Sequence, residues 1–392
     1  MAGHVARMVA AVNEQATLRP RVWGVPFRVA FGVVTIAALL LLHTLVTWLG
    51  PGQFAVGAFF AFLPVPLYVG LALWLDRNEP EPRWILLKAF LWGAVIATLL
   101  SIYGNNIALA WVLAAGASES ASEVFGAVIA APIIEEVTKG AALILLLIHQ
   151  HEELDNVLDG IIYAGMIALG FAATENVLYY GANVAWLGEV LHTRGFISPF
   201  AHPLFTSMTG IGVALAAHRH GLARVVLPLV GLTGAIALHM IWNGAAVMGQ
   251  YDTMYLLIMM PIFLAVLGLV AATLRRERLL IARYLSREAE RGHCSSADVQ
   301  LLSSAEGVRG FREGLLGNVH TRHIYLTRLR ARNAAAELCL LQWRREHSRT
   351  ARGAASELVL REQLITCLAQ LHALAPTHAA VRMQLANEAR PT

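Results

Sequence analysis

Apolar and polar positions are arranged along this chain in long blocks rather than in short alternations. Eight apolar stretches are each long enough to cross a bilayer at ~1.5 Å of rise per residue. They comprise residues 28–49, 54–75, 84–103, 123–148, 157–180, 199–217, 225–248 and 254–274. After residue 274 the blocks give way to leucines at helical spacing. The pattern predicts an all-α polytopic membrane protein with eight transmembrane helices and a C-terminal soluble helical tail.

Composition and charge support this partition. The chain has 392 residues, of which 57% are hydrophobic and only 14% charged, whereas soluble domains carry about 25% charged residues. Residues 1–274 hold 11 of the 30 Lys+Arg and 15 of the 26 Asp+Glu, a net of −4, so residues 275–392 hold 19 and 11, a net of +8. We therefore predict a cytoplasmic N-terminal segment (1–27), a membrane domain (28–274) and an Arg-rich cytoplasmic helical tail (275–392).

The basic residues that flank the apolar stretches indicate the orientation. With eight helices, one side of the membrane receives the Arg-rich tail together with Arg7, Arg19, Arg21, Arg28, Arg77, Arg83, Lys88, Arg219 and Arg224. The other side receives Arg194 alone. Because cytoplasmic loops of membrane proteins are enriched in Lys and Arg, both termini are predicted to be cytoplasmic.

The tail is rich in arginine but carries no nucleic-acid or metal motif. Its leucines suggest two amphipathic helices, one with Leu326, Leu329, Leu340 and Trp343 and one with Leu364, Leu368 and Leu371. Interspersed acids favour a solvated helical hairpin or small bundle, and no nucleic acid is expected as a partner. The chain's three cysteines, Cys294, Cys339 and Cys367, all lie in the tail, and an odd number without paired spacing suits a reducing compartment.

Four consecutive predicted spans contain ionisable side chains, which cost roughly 2.5–3.5 kcal/mol each at the centre of a bilayer helix. These polar residues are Glu135, Glu136, Lys139, Asp159, Glu175, Asn176, His202, His239 and Asn243. Lys139 lies four residues after Glu135 and three after Glu136, and Asn243 lies four after His239, so each set shares a helix face. Small residues permit close helix approach: Ala164, Ala168, Ala172, Gly210, Gly231 and Gly234. We expect the polar faces to meet in one pocket on the Arg194 side of the midplane.

The side chains in this predicted pocket fit the activation of water. Neither G-x-S-x-G nor H-E-x-x-H is present, and the hydroxyls of Thr206 and Ser207 are expected to bond to their own helix backbone. A buried glutamate can act as a general base. The same glutamates and histidines could instead hold a zinc ion whose bound water attacks, and the residues alone leave both routes open.

Four ordered motifs resemble the PrsW family of intramembrane proteases, which is related to the CAAX-processing and bacteriocin-immunity membrane proteases. They are EExxK (Glu135, Glu136, Lys139), FxxxEN (Phe171, Glu175, Asn176) followed by Tyr179, a histidine in the sixth span (His202) and HxxWN (His239, Trp242, Asn243). The connection DRNEPEPR at 76–83 and Asp159-Gly160 also fit the family pattern. The resemblance covers roughly residues 60–250 and leaves the tail outside.

The resemblance implies hydrolysis of a peptide bond in a membrane-associated protein, typically a single-span protein such as an anti-sigma factor, in the inner (plasma) membrane of a bacterial cell. By the same resemblance, the catalytic residues would be Glu135, Glu136, Glu175, His202 and His239, with Lys139, Asn176 and Asn243 in support. If the enzyme is a metalloprotease rather than a glutamate-type peptidase, candidate zinc ligands are Glu136, Glu175, His202 and His239.

Two other functions fit parts of the sequence. Intramembrane glutamate and histidine relays also occur in proton-coupled transporters, but transporters often contain internal repeats, and the polar residues here cluster in one half of the membrane domain only. A non-catalytic membrane scaffold would use the basic tail to recruit partners and would not need the glutamates.

Overall fold

The fold is known from a computed structural model, which describes residues 25–78, 80–154, 156–303, 317–347 and 354–388. These ranges contain helices and no strand, which confirms the all-α prediction. Most of the predicted N-terminal segment, including Arg7, Arg19 and Arg21, lies outside the described residues.

The membrane domain is built from helices joined by short turns and by π-helical segments. Its first part comprises α1 (Val25–Leu49), α2 (Pro51–Phe62), α3 (Val65–Leu75), α4 (Arg83–Leu91), a π segment (Trp92–Ala97), α5 (Thr98–Ala114), α6 (Glu119–Phe125), a π segment (Gly126–Ala130) and α7 (Ala131–His149). It continues with α8 (Val157–Ala182), α9 (Leu187–Leu191), a π segment (His192–Ile197), α10 (Ala201–Ala216), α11 (Leu222–Val247), α12 (Tyr251–Met254), a π segment (Tyr255–Met259) and α13 (Met260–Glu290).

Six helical stretches among the described residues are long and apolar enough to cross a membrane. They are Phe31–Leu49, Pro51–Leu75, Arg83–Ala114, Val157–Ala182, Leu222–Val247 and Tyr251–Glu290. The remaining two of the eight predicted spans correspond to α7 and α10. Helix α7 carries Glu135, Glu136 and Lys139, and α10 is only 16 residues long. The two helices that fall short as apolar spans thus both contribute to the polar pocket described below.

Helix ends differ from the predicted ones in three places. The predicted span 54–75 is broken at Leu63–Pro64 into α2 and α3, because proline cannot donate the backbone hydrogen bond that would continue a helix. The span predicted to end at residue 103 continues to Ala114. Helix α13 runs on to Glu290, so the predicted domain boundary at residue 275 falls inside one continuous helix.

Helix α8 is the central element of the membrane domain, and glycines let its neighbours approach its backbone. A Cβ added at Gly170 would lie 2.1 Å from the carbonyl oxygen of Phe90 in α4, and one added at Gly160 would lie 2.2 Å from that of Gly210 in α10. Distances this short leave no room for a methyl group. The predicted alanine contacts also form, since Ala164 and Ala168 are fully buried, but the glycines set the closest approaches.

We expect Gly170→Ala to destabilise the protein by about 1–3 kcal/mol, the usual cost of overpacking a tight contact. The matched control on the same helix is Gly165→Ala, because a Cβ at Gly165 would meet nothing within 4 Å. Thermal unfolding in detergent should show a lower midpoint for the first variant and an unchanged or higher one for the second. Equal midpoints would show that the α4–α8 contact tolerates a wider separation.

Polar side chains hold several helix ends together on one face of the membrane domain. The amide of Asn78 donates to Glu277 Oε2 at 3.1 Å, and that of Asn156 donates to Glu277 Oε1 at 3.2 Å. Asp159, which the sequence places near the start of α8, closes a capping box with Asn156, so its role here is structural. The face that carries these contacts also carries the C-terminal helices, and we call it the tail face; the opposite one is the Arg194 face.

The C-terminal region forms its own core around the extension of α13. Its helices are α14 (Ser296–Ser303), α15 (Val319–His347) and α16 (Ala354–Glu388). Fully buried Glu288 in α13 accepts hydrogen bonds from Arg361 and Gln342. The Arg332 guanidinium donates to the backbone carbonyl of Arg77 at 2.6 Å, which joins the tail to the connection between α3 and α4.

The buried face of α15 differs from the predicted leucine stripe. Leu326 is exposed, whereas Leu340 is buried as predicted. The rest of the buried stretch is made mainly of small residues such as Ala331, Ala335 and Cys339, because α15 lies close to its neighbours in this small bundle. The predicted stripe of Leu364, Leu368 and Leu371 on α16 is buried as expected. Burial raises the pKa of the Cys339 thiol, so this cysteine is an inert packing residue.

Candidate active site

Helix α7 brings two glutamates and a lysine to one face at the centre of the bundle. Lys139 Nζ lies 2.7 Å from Glu136 Oε1 and 3.7 Å from Glu135 Oε2. The side chains of Glu136 and Lys139 are 0% exposed. Lys139 therefore compensates the charge of Glu136 locally, as the i, i+3 spacing predicts.

Glu136 is held on both carboxylate oxygens. His239 Nδ1 of α11 lies 3.2 Å from Glu136 Oε1, and the Thr206 hydroxyl of α10 donates to Glu136 Oε2 at 2.9 Å. The prediction that Thr206 bonds to its own helix is therefore wrong, because a buried carboxylate is a stronger acceptor than a backbone carbonyl that is already bonded. Ser207 does bond to its own helix, at Leu204 O.

His202 at the start of α10 connects the two acidic groups of the site. Its Nδ1 lies 3.2 Å from Lys139 Nζ, and its Nε2 lies 2.9 Å from Glu175 Oε2 of α8. An ammonium can only donate, so in this arrangement Nδ1 accepts from Lys139 and Nε2 carries the proton that is donated to Glu175. The rings of His202 and His239 are 5.2 Å apart.

Arg194 completes the site and is the main residue that sequence reasoning missed. Its guanidinium pairs with Glu175 and donates through Nε to Asn176 Oδ1 at 2.7 Å. It also lies 3.7 Å from the centre of the Tyr179 ring. The sequence showed Arg194 only as the single basic residue on its side of the membrane. The polar stripe of Glu175, Asn176 and Tyr179, which it contacts, was the feature that could have indicated a basic partner.

Exposure of the side chains rises from one end of the site to the other. It is 0% for Glu136, 3% for His239, 11% for His202, 17% for Glu175 and 23% for Arg194. The site is therefore buried at the α7 end and opens toward the Arg194 face, which confirms the predicted pocket shared by four helices.

Three side chains offer ligand atoms toward one point. One oxygen of Glu135 and one ring nitrogen each of His202 and His239 lie within 4.8 Å of one another. Glu135 Oε2 is buried, has no hydrogen-bond partner among the described residues, and faces His239 Nε2 at 4.0 Å. Carboxylate oxygen and imidazole nitrogen are the ligand types that catalytic zinc sites use.

The charge balance of the site also suits a bound cation. Lys139 pairs with Glu136, and Arg194 pairs with Glu175. The site thus contains three glutamates and only two basic side chains, and Glu135 is the glutamate in excess. This arrangement differs from the predicted ligand set, because Glu136 and Glu175 are engaged in orienting the two histidines. Carboxylates that bond to the second nitrogen of a metal-binding histidine are typical supporting groups.

Two predicted supporting residues lie at the margin of the site. Asn176 contacts Arg194, as described above. Asn243 donates to the backbone carbonyl of Ala127 at 2.8 Å and is half-buried, so it fastens α11 to the π segment before α7 and has no bond to the buried carboxylates.

Comparison with known proteins agrees with this geometry. Residues 81–266 match the sequence profile of the family described as PrsW family intramembrane metalloprotease. This part of the chain is similar to the PrsW family. The matched range contains every residue of the site and overlaps the range of the sequence resemblance.

Three curated relatives, each called Protease PrsW, are similar to this part of the chain. The one from Geobacillus kaustophilus (strain HTA426) is 30% identical over 135 residues, 34% of this chain and 55% of the relative. That of Clostridioides difficile (strain 630) is 32% identical over 155 residues, 38% and 63% respectively. That of Oceanobacillus iheyensis is 28% identical over 138 residues, 35% and 59%. The chain thus spans less than two thirds of each relative, and no solved structure matches it.

Proposed function

We propose that the part of the chain similar to the PrsW family is an intramembrane peptidase that hydrolyses a peptide bond in a single-span membrane protein, such as an anti-sigma factor. The observation that carries the proposal is the buried cluster of Glu135, His202 and His239 inside a lipid-embedded helical bundle. A buried carboxylate oxygen without a hydrogen-bond partner, such as Glu135 Oε2, is costly in such a place, and a role in hydrolysis would account for its presence.

Glu135, His202 and His239 are the residues that would hold a divalent metal, with zinc the ion that best suits the donor set. His202 would bind through Nδ1, the nitrogen that accepts from Lys139 in this structure, so the ion would replace that ammonium contact. When bound, the ion would lower the pKa of a water molecule and polarise the scissile carbonyl. This assignment replaces Glu136 and Glu175 by Glu135 in the candidate ligand set, on the strength of the contacts described above.

The protein's own groups position the histidines and accept the proton. Glu136 accepts from His239 Nδ1, which leaves the lone pair of Nε2 directed toward Glu135. Glu175 bonds to His202 and is itself held by Arg194. In the glutamate-type route, which uses no metal, Glu135 Oε2 would instead accept a proton from the attacking water and return it to the departing amine.

We also propose that the protein lies in the plasma membrane of a bacterial cell with its tail face toward the cytoplasm. Arg77 and the Arg-rich tail lie on that face, where Arg332 contacts the backbone of Arg77. Arg194 lies at the other end of α8, beside Glu175. Such an asymmetry is typical of cytoplasmic and external loops.

The proposed hydrolysis is tested in liposomes that contain the purified chain and a single-span anti-sigma factor of the source bacterium. We expect cleavage by the wild type, loss of cleavage with a zinc chelator and recovery when Zn²⁺ is added back. Purified protein should carry about one zinc per chain by mass spectrometry, as expected for a single catalytic site, and His202→Ala should carry much less than a control with the exposed His149→Ala.

Cleavage that persists unchanged in chelator without any bound metal would contradict the zinc assignment. No cleavage, combined with a proton flux that Glu136→Gln abolishes, would instead identify the protein as a transporter.

A further inference from the structure

An apolar groove runs along the outside of the membrane domain between α3 and α13, with α8 as its floor. We call it the lateral groove and define it by Leu71, Leu75, Gly165, Leu169, Leu267 and Val270. The cavity within it measures about 160 Å³. The lining residues recur at helical spacing on all three helices, so the groove runs parallel to the helix axes.

Both ends of the lateral groove are closed by contacts between its walls. On the tail face, the amide of Asn78 bonds to Glu277 and approaches the carbonyl of Leu274 at 3.5 Å. At the other end, the Phe200 ring lies 5.4 Å from Tyr68 of α3 and 5.7 Å from Phe263 of α13. The walls are therefore joined at their ends and separated between them.

The floor of the lateral groove lacks a helix packed against it. Helix α8 is otherwise well covered, since most of its apolar residues are buried. Its glycines at 160, 170 and 181 lie close to other helices. Gly165 is the exception, since a Cβ there would meet nothing within 4 Å. Wall helix α3 has no buried residue of its own. Small residues on an uncovered helix face permit another helix to approach closely in a membrane.

The lateral groove leads toward the candidate active site. A second, smaller apolar cavity of about 50 Å³ shares Phe200, Leu204 and Phe263 with it and extends to Trp242. Trp242 lies one helical turn from His239 on α11. Phe200 directly precedes α10, and His202 is the second residue of that helix. The start of α10 thus separates the groove from the buried carboxylates.

We infer that the lateral groove is the docking site for the transmembrane helix of the protein that is cleaved. The inference rests on the proposed peptidase function. A peptide substrate has to reach His202 and Glu135 from the lipid, and the groove is an apolar depression between three helices that continues to the start of α10. The occupant is an apolar α-helix, which packs its backbone over Gly165 and Ala72.

This docking geometry also locates the bond that is cut. The floor of the groove extends along α8 from Ile161 to Leu169, about 12 Å at ~1.5 Å per residue. This length is less than half of the ~30 Å hydrocarbon core. The Glu/His cluster lies at the level of Phe171 to Glu175, further toward the Arg194 face. A docked span therefore remains helical in the groove, unwinds as it passes the start of α10, and is cleaved in the half of the span nearest the Arg194 face.

The test fills the lateral groove without touching the catalytic groups. Leu71 and Leu73 lie on α3 with 40% and 39% exposure, and only Leu71 lines the groove. Leu267 and Leu269 form the equivalent pair on α13, with 43% and 37% exposure. We expect Leu71→Trp and Leu267→Trp to reduce cleavage of a single-span substrate by about tenfold or more, since overpacking excludes the docked helix. The matched controls Leu73→Trp and Leu269→Trp should stay within about twofold of wild type.

Crosslinking identifies the occupant independently of cleavage. A photoreactive phenylalanine analogue is placed at position 71 or 73 of the Glu135→Gln chain in vesicles of phosphatidylethanolamine and phosphatidylglycerol that contain the substrate. A substrate adduct from position 71 and none from position 73 supports the inference. Lipid adducts alone from position 71, or equal substrate adducts from both positions, overturn it. If the wild type cleaves nothing, the peptidase proposal fails, and the crosslinks still decide whether the groove binds a helix.

Discussion

Glu135→Gln should abolish peptide hydrolysis while leaving the fold as stable as that of the wild type or more so. Loss of a general base or of a metal ligand typically lowers the rate by about 10²–10⁴-fold. The free energy of unfolding should not fall, because Glu135 Oε2 has no hydrogen bond to lose and an amide is less costly to bury than a carboxylate. Lys139 keeps its closer partner Glu136 at 2.7 Å when its 3.7 Å contact with Glu135 is lost. Such a trade of stability for activity is typical of catalytic residues.

The measurement combines three readouts on one protein preparation: cleavage of the single-span substrate, zinc per chain, and the unfolding midpoint in detergent. The control is Glu123→Gln, the same chemical change at an exposed glutamate of α6, which should alter none of them. A Glu135→Gln chain that unfolds at a lower temperature yet still cleaves the substrate would show that Glu135 is a structural group.

The convergence of the polar residues could be predicted because each step follows from helical geometry. Residues three or four apart share a helix face, and charged groups in lipid have to face one another or water. Only an inward arrangement of Glu135, Glu175, His202 and His239 satisfies both conditions. The fold class followed in the same way from the apolar blocks.

The pairing of individual atoms could not be predicted. Which oxygen faces which nitrogen depends on the depth of each helix relative to its neighbours, and that depth is set by close contacts such as Gly160 against Gly210 and Gly93 against Ile167. These glycines look like ordinary small residues in the sequence. The depth of the helices relative to one another decides the contacts of Arg194 and Thr206. It also decides that Glu135, rather than Glu136, has a free oxygen facing the two histidines.

The paired charges suggest that the site separates a structural task from a chemical one. Lys139 with Glu136, and Arg194 with Glu175, orient the two histidines through bonds at 3.2 Å and 2.9 Å. Glu135 is the acid left for chemistry. Loss of a paired group should therefore affect folding, whereas loss of Glu135 should affect activity.

Lys139→Met provides the opposite case and should destabilise the protein strongly. Lys139 is fully buried, lies 2.7 Å from Glu136 and 4.1 Å above the Phe171 ring, and donates to His202. Removing one partner of a buried ion pair leaves an uncompensated charge and typically costs about 3–5 kcal/mol. The control is Lys88→Met, the other lysine of the chain, which is exposed over the Trp84 ring and should cost no more than about 1 kcal/mol.

Adding Glu136→Gln to Lys139→Met should recover much of the lost stability, because replacing both members of a buried pair by neutral groups is often close to neutral. Reversible unfolding in mixed micelles of the two single variants, the double variant and the wild type gives the coupling free energy of the pair. The double variant should still cleave poorly, since the neutral amide that replaces the Glu136 carboxylate no longer carries the charge that orients His239. Additive losses in the double variant would contradict the assignment of Lys139 as the counterion of Glu136 and point to its bond with His202 as the contact that matters.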